Sequence, residues 1–365
     1  MKIAYVTLHW PRTRSSGIGK KMLRQMDAWE QAGHSVTCYM HLHETQNSHE
    51  LLPAKYFIYQ PVKGKFSLLR RETSRIHALK ALIQTVILDK PDLIYLRWGM
   101  YAIPLKKMFQ AVPVVVEINT NDVLEHRLLG PFLNLYNRLT RNILLSRADG
   151  LVFTTRELSL DPVFAKYSKQ RIVVSNGIDL DTHEKIPVPN TAIPHLVFIG
   201  TPDLAWQGIE KLVQLAEKLR DIHIDIIGCD GIPGFKHIPK NMTFHGYLER
   251  TEYQQILAQA TAAIGTLSLY KKGMGEAAPL KIRECAAFGI PLILPYKDTD
   301  LHNLPCDSIL EIPNTENNIH ENTGRIHDFL YHMQGKRLDV EKIQKLIDIR
   351  VKEKERLGFF ESMLQ

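Results

Sequence analysis

Short β-branched apolar runs alternate, from the first residue, with stretches whose apolar positions recur every three or four residues. Residues 2–8 read as a strand, 17–32 as a helix and 34–40 as a second strand. A long helical pattern over about 66–89 puts Leu69, Ile76, Leu79, Ile83, Val86 and Ile87 on one side. Strands at 92–96, 112–118 and 150–154 follow, separated by helical stretches, and 171–177 closes the set. A polar, proline-containing stretch comes next, 181–194 (DTHEKIPVPNTAIP), and reads as a linker. The pattern then restarts. Strands are predicted at 195–199, 222–227, 242–245, 262–267, 291–294 and about 308–312, with helices at 207–219 and 279–288. Beyond about 318 the chain is mostly helical and ends in a charged helical tail, 340–364.

Such alternation yields parallel sheets covered on both faces, and its restart predicts two doubly wound α/β domains. The expected division is 1–180, a linker at 181–194, and 195–344, with a C-terminal helix of about 345–365. Two such domains facing one another leave a central cleft at the C-terminal ends of their strands, the usual ligand position of open α/β sheets. The chain of 365 residues suits two domains, and 44% hydrophobic with 23% charged residues excludes a disordered or coiled-coil chain. No apolar run approaches the roughly 18 residues of a spanning helix. The opening MKIAYVTLHWPRTR is too short in its apolar part for a secretory leader. Cys38, Cys229, Cys285 and Cys306 are scattered, without a C-x-x-C pair, as suits a reducing compartment. The expected localisation is therefore cytoplasmic.

Charge is uneven. Residues 1–180 hold 25 Lys and Arg against 14 Asp and Glu, a net +11, whereas the remainder is net −4. The densest basic cluster, Lys63, Lys65, Arg70, Arg71, Arg75 and Lys80, opens the long helix. Arg70, Arg71 and Arg75 are accordingly candidates for docking on an anionic membrane surface or for serving the acceptor side. A solvated helix packed on a sheet explains the same pattern. No recognition motif accompanies the charge, so a nucleic-acid partner is not expected.

Two places carry candidate chemistry. The turn after strand one, Ser15-Ser16-Gly17-Ile18-Gly19-Lys20, has glycines where a phosphate can approach a helix N-terminus. It is not a dinucleotide fingerprint, because Met22 stands where the third glycine belongs. The second is Lys272-Gly273-Met274-Gly275-Glu276-Ala277-Ala278-Pro279-Leu280-Lys281-Ile282-Arg283-Glu284. Here a glycine loop leads to a helix started near Pro279, with Lys281 in its first turn as a cation for a bound phosphate. Glu284, three residues on, shares that face and can accept hydrogen bonds from a ribose diol. Glu276 precedes the helix and can reach sugar hydroxyls. A surface ion pair between Lys281 and Glu284 is the plainer alternative.

The Glu276-x7-Glu284 element, followed by Ala287-Phe288-Gly289-Ile290-Pro291, closely resembles family 4 of the retaining nucleotide-sugar glycosyltransferases. Gly33-His34-Ser35-Val36, Ser175-Asn176-Gly177-Ile178-Asp179 and His245-Gly246-Tyr247 resemble further elements of that family, in the same order. The resemblance implies the GT-B architecture of two Rossmann-like domains, with a C-terminal helix crossing back to the first. It implies a nucleotide-sugar donor, most readily a UDP- or GDP-sugar, and a glycan or lipid-linked acceptor in polysaccharide or glycolipid synthesis. It also implies a retaining reaction with no metal or other cofactor. Carried over by position, Glu284 binds the donor ribose, Lys281 the diphosphate, Glu276 the donor sugar, and Gly17 the phosphates from the first domain. Pro279, Leu280, Gly246 and Tyr247 join the donor site, with Lys281, Glu276, Asn119 and Glu117 as the catalytic group.

Three departures stand out. Thr201 and Gln207 occupy the loop where the family places an Arg and a Lys on the diphosphate, leaving Lys281, with Lys271 or Lys272, to carry the charge. Glu117-Ile118-Asn119 replaces a common Glu-Val-His, and asparagine does not titrate near neutrality. The turn at Gly17 lacks an adjacent glycine pair. A nucleotide-sugar epimerase of the same fold, or a catalytically weak sugar-nucleotide or glycan-binding protein, are the alternatives. Asp298-Thr299-Asp300 reads as the end of a βα connection rather than a metal motif, and His41, His43 and His49 as a solvated loop. Glu276 and Glu284 make a poor glycosidase pair, because Lys281 keeps both ionised.

Overall fold

The computed structural model describes residues 1–8, 17–43, 53–59, 67–201, 204–235 and 237–365. Met1–Ser175 and Ile349–Gln365 pack as one compact unit and Asn176–Asp348 as another. Both are parallel sheets carrying helical crossovers.

In the first unit β1 (Lys2–Thr7), β2 (Ser35–His43), β3 (Lys55–Tyr59), β4 (Leu93–Arg97), β5 (Val114–Ile118), β6 (Gly150–Phe153) and β7 (Gln170–Val173) form one sheet. Its order is β3-β2-β1-β4-β5-β6-β7, and every pairing is parallel. β5 is buried along its whole length, which is why its sequence, VVVEI, shows no alternation. The helices are α1 (Gly17–Gln31), α2 (Ser67–Leu88), α3 (Met108–Ala111), α4 (Asp122–Leu129), α5 (Pro131–Leu145), α6 (Arg156–Leu160) and α7 (Pro162–Ala165). β3 was not among the expected strands. It is an edge strand whose Ile58 is exposed, so it shows neither a buried run nor a clean alternation.

The second unit holds β8 (His195–Ile199), β9 (His223–Ile227), β10 (Met242–Phe244), β11 (Ala262–Ile264), β12 (Glu276–Ala277), β13 (Leu292–Leu294), β14 (Lys297–Asp298) and β15 (Ile309–Glu311). Six of these make a sheet of order β10-β9-β8-β11-β13-β15, and β12 and β14 pair in a separate two-stranded sheet. Its helices are α8 (Glu210–Lys218), α9 (Arg250–Gln259), α10 (Leu280–Ala287), α11 (Asn318–Met333) and α12 (Gln344–Ile347). Leu196, Phe198, Ile224, Ile226 and Ile264 face α8 and α11 in one apolar core. Residues 181–194 run over this unit. The Ile186 N–H donates to the Phe288 carbonyl at 3.1 Å, and Arg337 donates to the Ile186 and Pro187 carbonyls.

The last helix, α13 (Ile349–Leu364), belongs to the first unit. Phe360 is fully buried there against Trp29 and Tyr95, with ring centroids 5.5 and 5.2 Å apart. Gly150 admits that helix: a Cβ at this position would meet Met363 Sδ at 2.7 Å and Phe359 at 2.9 Å. No helix among the described residues is long and apolar enough to cross a membrane.

Candidate functional site

The C-terminal ends of β8, β9 and β10 are knitted together by glycines. The Gly200 N–H donates to the Ile227 carbonyl (2.8 Å), the Gly228 N–H to the Gly246 carbonyl (2.7 Å), and the Gly246 N–H to the Cys229 carbonyl (3.1 Å). Gly228 has φ +94°, and a Cβ on it would lie 2.1 Å from the Gly200 carbonyl oxygen. Gly246 has φ +63°, and a Cβ there would lie 2.3 Å from Asp230 Oδ1. Only glycine fits this rim, so its chain can run close to a ligand. Tyr247, beside Gly246, stands exposed.

The loop after β8 is closed from within. Gln207 is buried, and its Oε1 accepts the Thr201 backbone N–H at 2.9 Å. These two residues therefore shape the turn and bring no charge to it. Lys271 pairs with Glu210 at 2.8 Å, and Lys272 lies over the Trp206 ring at 4.9 Å.

α10 is the centre of the arrangement. Pro279 is its N-cap, with extended backbone (φ −70°, ψ 133°), rather than its first helical residue. Leu280 and Lys281 follow in the first turn, where helix geometry leaves their N–H groups without intrahelical acceptors. Lys281 lines a small pocket with Val197, Ile199, Gly265, Thr266 and Cys285. Among the described residues its ammonium has no hydrogen-bond or ion-pair partner, and the alternative of a surface pair with Glu284 is not formed. Burial presses its pKa down to about 8, against a small upward pull from nearby Cys229.

Other side chains orient Glu284, among them Tyr253 and His183. Tyr253 Oη donates to its Oε2 at 3.2 Å, and His183 Nε2 lies 3.7 Å from its Oε1. His183 is itself fixed by the Asp179 carbonyl at 2.7 Å and by the Phe288 ring, 4.9 Å between centroids. Glu276 sits half-buried on β12, in register with Lys297 of β14.

Between Lys281 and Glu284 lies Arg283, which sequence reading passed over. It is fully buried, forks onto Asp298 at 2.7 and 2.9 Å, and reaches Asp300 at 2.7 Å. Its Nε donates to the Asn176 carbonyl at 3.2 Å, and Asn176 Nδ2 donates to the Ala278 carbonyl at 2.8 Å. The D-x-D carboxylates thus grip α10. An Asp-x-Asp beginning 15 residues after an Arg inside a largely apolar helix was the available signal.

In the first unit Gly17 opens α1 and is exposed, while Ser15 and Ser16 lie outside the described residues. Glu117 is fully buried at the end of β5. Lys21 Nζ donates to its Oε1 (2.7 Å), and Arg97 Nη1 (3.3 Å) and Asn119 Nδ2 (3.2 Å) donate to its Oε2. Arg356 Nη1 lies 3.8 Å from Oε1. Burial favours a protonated Glu117, but Lys21, Arg97 and Arg356 outweigh it and hold the group far below the usual carboxylate range. Such a carboxylate has no surface to offer a substrate. Asn119 is half-buried and has a set orientation, its Oδ1 accepting from Lys21 at 3.2 Å. Lys21 and Arg356 left no sequence signal, since their partner is about a hundred or more residues away. Arg75 pairs with Glu72 at 2.8 Å and Arg71 approaches it at 4.0 Å, whereas Arg70 is exposed. His41 bonds the Arg75 carbonyl and stacks on Tyr59, and His49 lies outside the described residues. Among the described residues no cluster of three or more His, Cys, Asp or Glu is arranged to hold a metal.

The architecture is the GT-B fold, two Rossmann-like α/β units. Sucrose-phosphate synthase from Thermosynechococcus elongatus has a similar structure, with a TM-score of 0.71 and 15% identity over 100% of this chain and 99% of that one. The lipopolysaccharide outer core galactosyltransferase WaaB, in its apo form, matches with a TM-score of 0.68 and 15% identity over 99% and 100%. HepE of Anabaena, solved with UDP and glucose, matches with a TM-score of 0.65 and 13% identity over 99% and 100%. At these identities the likeness is one of fold. No family model and no curated protein matches the sequence.

Proposed function

We propose that the protein is a glycosyltransferase that moves a sugar from a nucleotide-sugar, a UDP- or GDP-sugar, to a glycan or lipid-linked acceptor. Lys281 carries the reading: it is a largely enclosed ammonium in the first turn of α10, beside the glycine rim, with no ion-pair partner among the described residues. An enclosed cation without a counter-ion is costly unless an anion joins it, and a diphosphate supplies one. That GT-B proteins solved with UDP share the fold is in keeping with this donor class.

In this reading the α10 N-terminus and Lys281 hold the diphosphate, and Glu284, steadied by Tyr253 and His183, accepts hydrogen bonds from the ribose. Glu276 takes the donor sugar's hydroxyls, and Asn119 serves the acceptor side from the first unit. The reaction proceeds with retention. The anomeric C–O bond to phosphate breaks, the acceptor oxygen bonds the same face of that carbon, and the acceptor proton passes to the departing phosphate oxygen. Lys281 and the helix N-terminus stabilise the developing phosphate charge, so no metal is required.

A thermal-shift panel of UDP, GDP, ADP, CMP and dTDP, in EDTA, tests the donor site, with Glu284→Ala as control. A nucleotide at about 100 times its Kd adds roughly 2.7 kcal/mol of stability. One nucleotide should stabilise the wild type and not the variant, and its sugar conjugates should then turn over with retained anomeric configuration. Affinity without turnover favours a binding module, and no stabilisation by any nucleotide overturns the proposal.

A further inference from the structure

Three histidines of the second unit converge on one carboxylate. β9 reads His223-Ile224-Asp225-Ile226-Ile227, and its alternation sends Ile224 and Ile226 into the apolar core and His223 and Asp225 to the other face. Register sets His195 of β8 beside His223, and Thr243 of β10 beside Asp225. His195 Nδ1 lies 2.9 Å from Asp225 Oδ2, and His245 Nε2, on the residue after β10, lies 2.8 Å from Oδ1. His223 Nε2 is 3.5 Å from the same Oδ1 and 3.0 Å from Thr243 Oγ1, and its ring centroid is 5.0 Å from that of His195.

Asp225 is buried, while the three imidazoles keep 18%, 22% and 23% of their surface, so protons reach them from water. The titratable groups acting on His223 are Asp225 of its own strand, His195 of β8 and His245. Those acting on Asp225 are the same three histidines. α9 packs on β8 and, among the described residues, sends no hydrogen bond or ion pair to the four. One carboxylate therefore serves three bases. The first proton taken up is paired with it, and each later one adds a cation beside another. Burial holds the His223 pKa below its ordinary value, against the pull of Asp225 and with help from His195 and His245. Since the folded value is the lower one, folded structure loses stability as pH falls from the unfolded value through the folded one.

The cluster bears on the glycine rim through His245. Its backbone N–H donates to the Ile226 carbonyl at 2.9 Å, so main chain and side chain are both anchored on β9. Gly246, next in sequence, exchanges hydrogen bonds with Cys229 and Gly228.

We propose that Asp225 and its three histidines form a proton-sensitive clasp, closed near neutrality and opened in acid, that sets how firmly the His245–Gly246 rim is held. With the rings neutral, His195 Nδ1 and His245 Nε2 each donate an N–H to Asp225. In acid the surplus imidazolium charge drives the rings apart, and His245 lets go. The clasp stands on this geometry; its effect on donor binding rests on the function proposed above.

The test is hydrogen exchange of amides 242–247 in the full chain from pH 8 to 5, corrected for the intrinsic rate. Protection should fall in acid by about tenfold per pH unit for each proton taken up on opening. Asp225→Asn removes the shared anion and should move that fall to higher pH. His223→Gln removes one charge, keeps a partner for Thr243, and should move it to lower pH, each by roughly half a unit or more. A merely structural role would weaken protection at every pH and leave the limb in place. Level protection in the wild type, or a limb that His223→Gln does not lower, overturns the inference, and this second arm decides even where Asp225→Asn is unstable at pH 8. Exchange is read without nucleotide, so a protein that binds none fails the donor reading and leaves the clasp decided by its own limbs. Affinity for a sugar-nucleotide, whose diphosphate diester lacks the proton that titrates near 6, should fall over the same range and shift with each variant. Level affinity across an opening rim overturns the regulation.

Discussion

Arg283 and Asp298 meet in a two-pronged ion pair, Nη1 to Oδ2 at 2.9 Å and Nη2 to Oδ1 at 2.7 Å, with neither side chain exposed. Asp298 also caps the following turn, accepting from the Asp300 and Leu301 N–H groups at 3.0 and 3.1 Å. The pair therefore ties α10 to the chain after β14. Lys281 and Glu284 flank Arg283 on that helix, and their positions depend on this tie.

Asp298→Ala leaves a buried guanidinium with only Asp300 to balance it. Breaking a buried pair from one side costs about 3–5 kcal/mol, so the melting temperature should drop by many degrees. Arg283→Met with Asp298→Leu should lose less than Asp298→Ala alone, because no charge is stranded. Melting curves of the single and double variants check this, and additive losses would show the pair to be uncoupled.

Much of this was legible beforehand, and particular residues show where legibility stops. β5 could be read because a strand buried on both faces is a continuous apolar run. β12 and β14 could not, since two residues carry no period. Lys281 and Glu284 were readable from spacing on one helix, a local relation. The tie from Arg283 to Asp298 is 15 residues long, and Lys21 meets Glu117 across 96. Those partners are chosen by the sheet's topology, which no short window of sequence contains. The resemblance put Glu117 among the catalytic residues, and the three cations that surround it in the fold could not be read from its neighbours in sequence.

Lys281 makes nucleotide binding dependent on pH. With its pKa pressed to about 8, the free site holds an ammonium at pH 7 and loses it as pH rises through 8. Nucleoside diphosphate is fully ionised over that range. Affinity should be level between pH 7 and 7.5 and then fall, approaching about tenfold per unit well above pH 8. Lys281→Arg binds more weakly if the fork misfits, but its pH profile should be flat, because a guanidinium stays charged. Calorimetric Kd values for the stabilising nucleotide from pH 7 to 9.5 decide the matter. A flat profile for the wild type removes Lys281 from the phosphate site.

Gly228→Ala tests the glycine rim. The new Cβ would sit 2.1 Å from the Gly200 carbonyl oxygen at a φ of +94°, so backbone must move and strain must be absorbed. The cost is about 2–4 kcal/mol. Nucleotide affinity should fall as well, since the strand ends that form the rim are displaced. Gly231→Ala is the control: nothing lies within 4 Å of its Cβ, and stability should change by less than about 0.5 kcal/mol.

The C-terminal helix holds the first unit's interior together through Arg356. Its Nη1 donates to Tyr95 Oη at 2.6 Å, its Nε donates to Glu353 Oε2 at 2.8 Å, and it lies 3.8 Å from Glu117. Glu353 accepts in turn from Trp29 Nε1 at 2.8 Å and Gln25 Nε2 at 3.3 Å. Phe360 closes the same space among Trp29 and Tyr95. Phe360→Ala should cost about 3–5 kcal/mol through its cavity and lost burial. Arg356→Met strands Glu353 and removes one of the three cations holding Glu117 ionised. Because the folded pKa of Glu117 is depressed, the stability it contributes is present above its unfolded value and is lost as pH falls. The Arg356→Met variant should therefore unfold at higher pH than the wild type in an acid titration followed by tryptophan fluorescence. An unchanged acid midpoint would mean that Lys21 and Arg97 alone keep Glu117 charged.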